Sequence, residues 1–318
     1  MPCVYHDRIY FCAVHLFTLP IKARIILPCC NSPKDSEQIF RREHFLDGHT
    51  FSLKKYFDLL ERHCVSGRCP NYKEGASVIK EIALGEWRKC PGKCLTCFNR
   101  TEDNRMEFPL SPEALEKYLS EVAGVYAEIK KINAAQNAPA PFLRIGSAGD
   151  LFFSENYRAV LSADLAALGI ERIGVITNFQ TWTNHSIESI HPNTRPLMQE
   201  IVFSVDSIQP TLYEALREGS KWERLLNGYT LSTQIFPEAV YKVSYTVSKV
   251  NFQEIPVVPK KIKELFPAVS ALEFHAVQNW TGDPAVEDLL LSAEERDNLI
   301  KWVQNQAPVD GMSIKFLY

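Results

Sequence analysis

The chain has 318 residues, 46% of them apolar and 23% charged, with a net charge of −3. That length fits one large domain or two unequal ones, and the balance is that of a folded soluble protein. The near-neutral charge excludes a general electrostatic attraction to nucleic acid or anionic lipid. The longest greasy stretch, 9–28, is interrupted by His15, Pro20, Lys22 and Arg24, too often to span a bilayer, and lacks the marks of a signal peptide. A cytoplasmic protein is expected.

Residues 1–75 read as short strands and turns. "RIYFCAVHLF" and "KARIILPCC" are candidate strands, "NSPKDSEQ" is a loop, and Leu53, Phe57 and Leu60 give "SLKKYFDLLERHC" helical spacing. This segment carries Cys3, Cys12, Cys29, Cys30, Cys64 and Cys69. From 76 onward, strands and helices alternate. "VIKEIALG" is a strand that leads into "GEWRKCPGKCLTCFNR". "SPEALEKYLSEVAGVYAEIKKI" is a helix capped by Ser111, with Pro112 in its first turn and a stripe of Leu115, Leu119, Val122, Tyr126 and Ile129. Strand "PFLRIGSAGD", helix "SENYRAVLSADLAALG" and strand "RIGVITN" follow. After "SIESIHPNTRPLMQ", a short helix or loop, come strand "EIVFSVDS" and a single helix "PTLYEALREGSKWERLLNGYTLS". Strand "YKVSYTVSKV", helix "IPVVPKKIKELF" and strand "ALEFHAVQNW" complete the alternation. Ser292 and Glu295 form a capping box at a last helix, and "MSIKFLY" is a closing strand.

Strands separated by helices of this length predict right-handed crossovers and a mostly parallel sheet. Six such units give an open doubly wound sheet or an incomplete barrel. In either, ligands sit at the carboxyl ends of the strands. The unusual residues fall there: a cysteine loop, then "GSAGD", "TN" and "SVDS".

All nine cysteines lie in the first 97 residues, which in a reducing compartment points to metal binding. Cys90, Cys94 and Cys97 have the spacing C-x3-C-x2-C. Thiolates bind iron–sulfur clusters or zinc. Three ligands in one tight loop leave a coordination position for a substrate or cofactor. Zinc, with Cys69 as a fourth ligand, is the alternative. The rival class to an enzyme is a zinc- or iron–sulfur-binding scaffold or electron-transfer module.

The C-x3-C-x2-C loop after a first strand resembles the signature of the radical S-adenosylmethionine (radical SAM) enzymes, and the resemblance runs through 78–318. "RIGSAGDLFFSENYRAVL" is similar to the glycine-rich second-strand motif, though Gly-Gly-Glu is the commoner form. "VITN" is similar to the third-strand "TNG" segment, with Phe179 in place of the glycine. "FSVDSIQPTLYEALREGSKWERLLNGY" resembles the fourth strand and its helix, with their Ser–x–Asp and downstream Arg–x–Gly. "VSKVNFQEIP" resembles the fifth-strand "N-x-x-E" turn and "FHAVQNW" the sixth strand.

The resemblance implies an α/β protein, a partial (β/α)6 barrel over 76–318. It implies that Cys90, Cys94 and Cys97 hold three irons of a [4Fe–4S] cluster. The fourth iron is then chelated by S-adenosylmethionine, whose reductive cleavage gives a 5′-deoxyadenosyl radical that removes hydrogen from a substrate. Gly146, Ser147, Gly149 and Asp150 would lie at the methionine end. Ser204 and Asp206 would reach the ribose or carboxylate, and Arg217 would pair with the carboxylate. A reductant such as flavodoxin or ferredoxin, and a peptide or small-molecule substrate, are the partners implied. His275 and Tyr245, near strand ends, are candidates for acid–base roles.

Residues 1–75 resemble the first half of a SPASM or "twitch" auxiliary-cluster domain, here forming a small N-terminal cysteine-rich α+β lobe. The set for a second cluster is Cys12, Cys29 or Cys30, Cys64 and Cys69, with Cys3 as a spare. Packed thiols or a zinc knuckle are the alternatives.

Overall fold

Ser111 and Pro112 open a helix as the sequence requires: the Ser111 hydroxyl accepts from the Ala114 N–H at 3.2 Å, and helix α1 runs Pro112–Ala134. The computed structural model describes residues 8–11, 24–25, 40–41, 46–47, 50–51, 78, 80–84, 87, 89–97, 107, 109–147, 149–279 and 283–317. The helix predicted over 52–64, and Cys3, Cys12, Cys29, Cys30, Cys64 and Cys69, lie outside the described residues.

The chain divides into two units, the first comprising Met1–Glu86, Leu110–Arg144 and Leu165–Arg172. In it, strands β1 (Arg8–Phe11), β2 (Glu81–Leu84) and β3 (Phe142–Ile145) pair in parallel, with Arg8 opposite Glu81 and Glu81 opposite Phe142. Two two-residue antiparallel ladders join Arg24–Ile25 to Phe40–Arg41 and Leu46–Asp47 to Thr50–Phe51. The buried face of α1 is Tyr118, Leu119, Val122, Val125, Tyr126 and Ile129, the 3.6-residue stripe expected of a helix that covers a sheet. Glu81 and Arg144, both nearly buried, form an ion pair at 2.6 Å across β2 and β3.

The second unit comprises Trp87–Pro109, Ile145–Asp164 and Ile173–Tyr318. Its strands β4 (Ile173–Thr177), β5 (Met198–Ser204), β6 (Val240–Val247), β7 (Val269–Ala276) and β8 (Ser313–Phe316) pair in parallel in chain order. Helices α2 (Glu155–Leu161), α3 (Asn184–Glu188), α4 (Pro210–Leu216), α5 (Trp222–Ile235), α6 (Val258–Leu265), α7 (Pro284–Glu287) and α8 (Ala293–Gln304) separate or follow them. The fold is α/β, with a parallel sheet and alternating helices. Among the described residues no helix is long and apolar enough to cross a membrane.

Alternation along β6 shows how the sheet is used. Tyr241, Val243, Tyr245 and Val247 are fully buried, while Lys242, Ser244 and Thr246 on the other face are half-buried. The buried face meets an aromatic layer supplied by the helices: the ring of Phe203 lies 5.1 Å from Phe266 and 5.6 Å from Tyr229. The opposite face is polar. Ser204, Ser244, Glu273 and Lys315 stand in register across four neighbouring strands, with Thr246 beside His275.

Two sequence expectations are corrected. The helix expected to run through 154–169 ends at Leu161. The Ser162 hydroxyl bonds back to the Arg158 carbonyl at 2.8 Å, and to Ser189 at 3.0 Å, which competes with continuation of the helix. The single helix expected after β5 is two, α4 and α5, broken at Arg217–Lys221, where Gly219 takes φ = 85°.

Candidate functional site

The cysteine loop is fixed by main-chain bonds to the break between α4 and α5. The Lys93 N–H donates to the Glu218 carbonyl at 2.6 Å, and the Leu95 N–H to the Leu216 carbonyl at 2.9 Å. These two bonds lay residues 93–95 alongside 216–218, with Cys94 and Arg217 as the residues between them. Gly219 belongs to the same contact. A Cβ there would lie 3.0 Å from the Pro91 carbonyl oxygen and 3.4 Å from the Gly92 Cα, and its φ lies in the left-handed region. The Arg–x–Gly read from the sequence is thus the strip against which the cysteine loop is laid.

Arg217, 9% exposed and at the C-terminal end of α4, donates from Nη1 to Asp206 Oδ2 at 2.6 Å. Its Nε is buried with no hydrogen-bond partner. Asp206, at the end of β5, also accepts the Thr246 N–H at 3.0 Å, and Asn251 Nδ2 donates to its carbonyl at 2.7 Å. Asp206 is therefore not a cap for α4: the N-cap is Gln209, with no side-chain bond. Arg217 is not a solvated helix residue either.

Cys90, Cys94 and Cys97 form no disulfide, Cys94 being buried. The Cys97 N–H closes a turn onto the Cys94 carbonyl at 3.1 Å. Burial pushes the Cys90 thiol up to about 12, and the nearby Asp150 adds to that. Burial also raises Cys94; Arg217 opposes this, and Asp206 reinforces it more weakly. For Arg217 burial disfavours the charge, yet Cys94 and Asp206 hold it protonated well above its ordinary value. Asn178 Nδ2 points at Cys90 Sγ, 3.6 Å away, and Asn178 Oδ1 accepts the Gln180 N–H at 2.9 Å, which fixes the amide's orientation. The amide's contact with sulfur depends on the fold at the end of β4.

In the glycine-rich segment, Gly146 and Gly149 take φ = 87° and 119°. A Cβ on Gly146 would collide with the Ile176 carbonyl oxygen at 2.2 Å. Asp150 is fully buried and its carboxyl is raised by burial, although Thr181 Oγ1 and the Phe153 N–H donate to its Oδ1. Its Oδ2 has no hydrogen-bond partner. Ser147 and Ser204 are half-buried. Tyr245 is fully buried on the helix-facing side of β6, donating to Glu254 Oε2 at 2.7 Å, so it serves the core. His275 stands on the polar face.

The donor set fits an iron–sulfur group. Three soft sulfurs come from one loop, a buried cation with an unspent N–H belongs to the segment that loop is bonded to, and a buried carboxylate oxygen lacks a donor. Among the described residues no three His, Cys, Asp or Glu side chains converge on a single-ion position.

No protein-family model matches the sequence, and no curated protein matches it. Solved structures share its fold. Streptococcus suis SuiB bound to S-adenosylmethionine aligns with a TM-score of 0.52 at 14% identity, over 84% of this chain and 57% of the other. The structure of anSMEcpe with bound AdoMet aligns with a TM-score of 0.51 at 12% identity, over 74% of this chain and 63% of the other. A radical SAM methyltransferase from Sphaerobacter thermophilus is at a TM-score of 0.45 and 12% identity, over 72% and 63%. The chain thus spans about three fifths of the length of each of these structures. The likeness is one of fold, an α/β fold with a parallel sheet and alternating helices.

Proposed function

We propose that this chain is a radical SAM enzyme in which Cys90, Cys94 and Cys97 hold three irons of a [4Fe–4S] cluster and S-adenosylmethionine occupies the fourth. The observation that carries the reading is the register of the cysteine loop against 216–218, together with the Asn178–Cys90 contact. These bonds hold the loop beside Asn178, at the carboxyl end of β4, the side of an open α/β sheet that receives ligands. When bound, the cluster and its nucleotide supply hydrogen-atom abstraction through a 5′-deoxyadenosyl radical.

The chain's own residues bind and orient. Gly146, Ser147 and Gly149 bring backbone close to the methionine end, and the unpaired Asp150 Oδ2 accepts from its ammonium group. Ser204 and Asp206 approach from β5, and Arg217 offers its free Nε–H toward a carboxylate. The polar face carrying Ser204, Ser244, Thr246, Glu273 and His275 is the wall on which a polar substrate, a peptide or protein segment, is held. A low-potential flavodoxin or ferredoxin supplies the electron. Cys12, Cys29 or Cys30, Cys64 and Cys69 ligate an auxiliary cluster in the N-terminal lobe, and the protein works in the cytoplasm.

The test is anaerobic reconstitution with iron and sulfide, followed by dithionite and S-adenosylmethionine. The expected result is a brown protein with about four irons for each cluster and formation of 5′-deoxyadenosine, abolished by Cys94→Ala. Stoichiometric zinc in a colourless protein, or 5′-deoxyadenosine from Cys94→Ala, overturns the reading.

A further inference from the structure

Arg217 and Asp206 form a nearly buried ion pair. Its placement is specific. The 93–218 and 95–216 bonds lay the Arg217 segment alongside Cys94 in the cysteine loop, whereas Asp206 is reached through the guanidinium. The pair lies beside that loop, Arg217 standing between the two residues whose carbonyls hold it. The buried Nε–H has no hydrogen-bond acceptor in the protein, so the guanidinium is not fully engaged by Asp206.

We propose that the Arg217–Asp206 pair is the fixed counter-charge of the cluster and sets its reduction potential, an inference that rests on the cysteine triplet holding a [4Fe–4S] cluster. Three thiolates on a [4Fe–4S]2+ core carry one net negative charge. One electron from a flavodoxin- or ferredoxin-class donor makes it two, with no bond made or broken. In a buried site the second charge is disfavoured by desolvation and favoured by any fixed positive end nearby. Arg217 raises the potential and brings reduction within reach of the donor. Asp206 limits that effect and holds the guanidinium in place. Arg217 acts here through the cluster's electrostatics, as a positioning residue. A role confined to the S-adenosylmethionine carboxylate would leave the potential unmoved when no nucleotide is present.

The experiment is a redox titration of the reconstituted full chain without S-adenosylmethionine, followed by the EPR signal of the reduced cluster. Arg217→Met is expected to move the midpoint negative, Asp206→Asn positive, and Arg217→Lys to stay nearer the parent. Opposite displacements by the first two are the distinguishing result, because general loosening of the site would move both the same way. Should Arg217→Met fail to retain iron, Asp206→Asn and Arg217→Lys carry the comparison. Midpoints equal to that of the parent in the iron-loaded variants, or displacements of the same sign, overturn the proposal. A parent protein that takes up no cluster overturns the underlying assignment, a separate outcome visible before any titration.

Discussion

Gly228 of α5 faces Phe179 so closely that a Cβ on the glycine would lie 2.7 Å from the Phe179 Cβ and 2.8 Å from its carbonyl oxygen. Phe179 occupies a left-handed conformation, φ = 60°, with its side chain fully buried 5.0 Å from both the Trp182 and Phe203 rings. After Thr177 and Asn178 the chain turns on a phenylalanine, which inserts into the aromatic layer. Helix α5 yields the space with a glycine of its own. Gly228→Ala is expected to lower stability by about 1–3 kcal/mol, in the range of overpacked cores, measured by urea denaturation. A neutral result would mean that α5 shifts freely against β4.

Gln180 ties the end of β4 to the start of α5. Its side chain accepts the Lys221 N–H at 2.7 Å and donates to the Lys221 carbonyl at 3.1 Å and the Tyr213 hydroxyl at 3.3 Å. Gln180→Leu removes these bonds, leaving the part-buried Lys221 N–H and carbonyl without this partner, and is expected to destabilise the chain by about 1–3 kcal/mol. The same change should lower iron retention, because Lys221 ends the turn that holds the cysteine loop. Denaturation and iron analysis of one preparation check both parts.

Gly219→Ala forces a Cβ against the Pro91 carbonyl at a backbone angle that L-residues avoid. The 93–218 bond should lengthen and the cysteine loop lift from α4. We expect iron content after reconstitution to fall several-fold, with far-ultraviolet circular dichroism unchanged. Full iron loading would show that the loop finds its register without the strip.

Thiol titration gives a pH prediction for the metal-free protein. Cys90 in the folded chain is raised from 9.0 to about 12, and Cys94 is raised as well. Above pH 9 the unfolded thiols ionise while the folded ones keep their protons, so the folded state binds more protons and stability falls as pH rises. The loss is absent below pH 9. Each fully protonated folded thiol contributes a slope of about 1.4 kcal/mol per pH unit above that point. Urea midpoints at pH 7.5, 9 and 10.5 check it, and Cys90→Ser should flatten the decline.

Sequence periodicity alone established much of the architecture. Ser111 and the Ser292–Glu295 box appear as the caps they were expected to be, because capping is a bond between residues three apart. The strand and helix alternation from 81 to 316 was legible for the same reason: burial repeats every two residues in a strand and every 3.6 in a helix. Spacing also made Cys90, Cys94 and Cys97 a candidate metal-binding set. Only the tertiary structure decided what surrounds them. The close approach of Gly219 to Pro91, the 93–218 bond, the Asp206–Arg217 pair and the aim of Asn178 at Cys90 join residues 11 to 128 positions apart. Such contacts are set by strand register and by close approach of backbones, to which local propensity is blind.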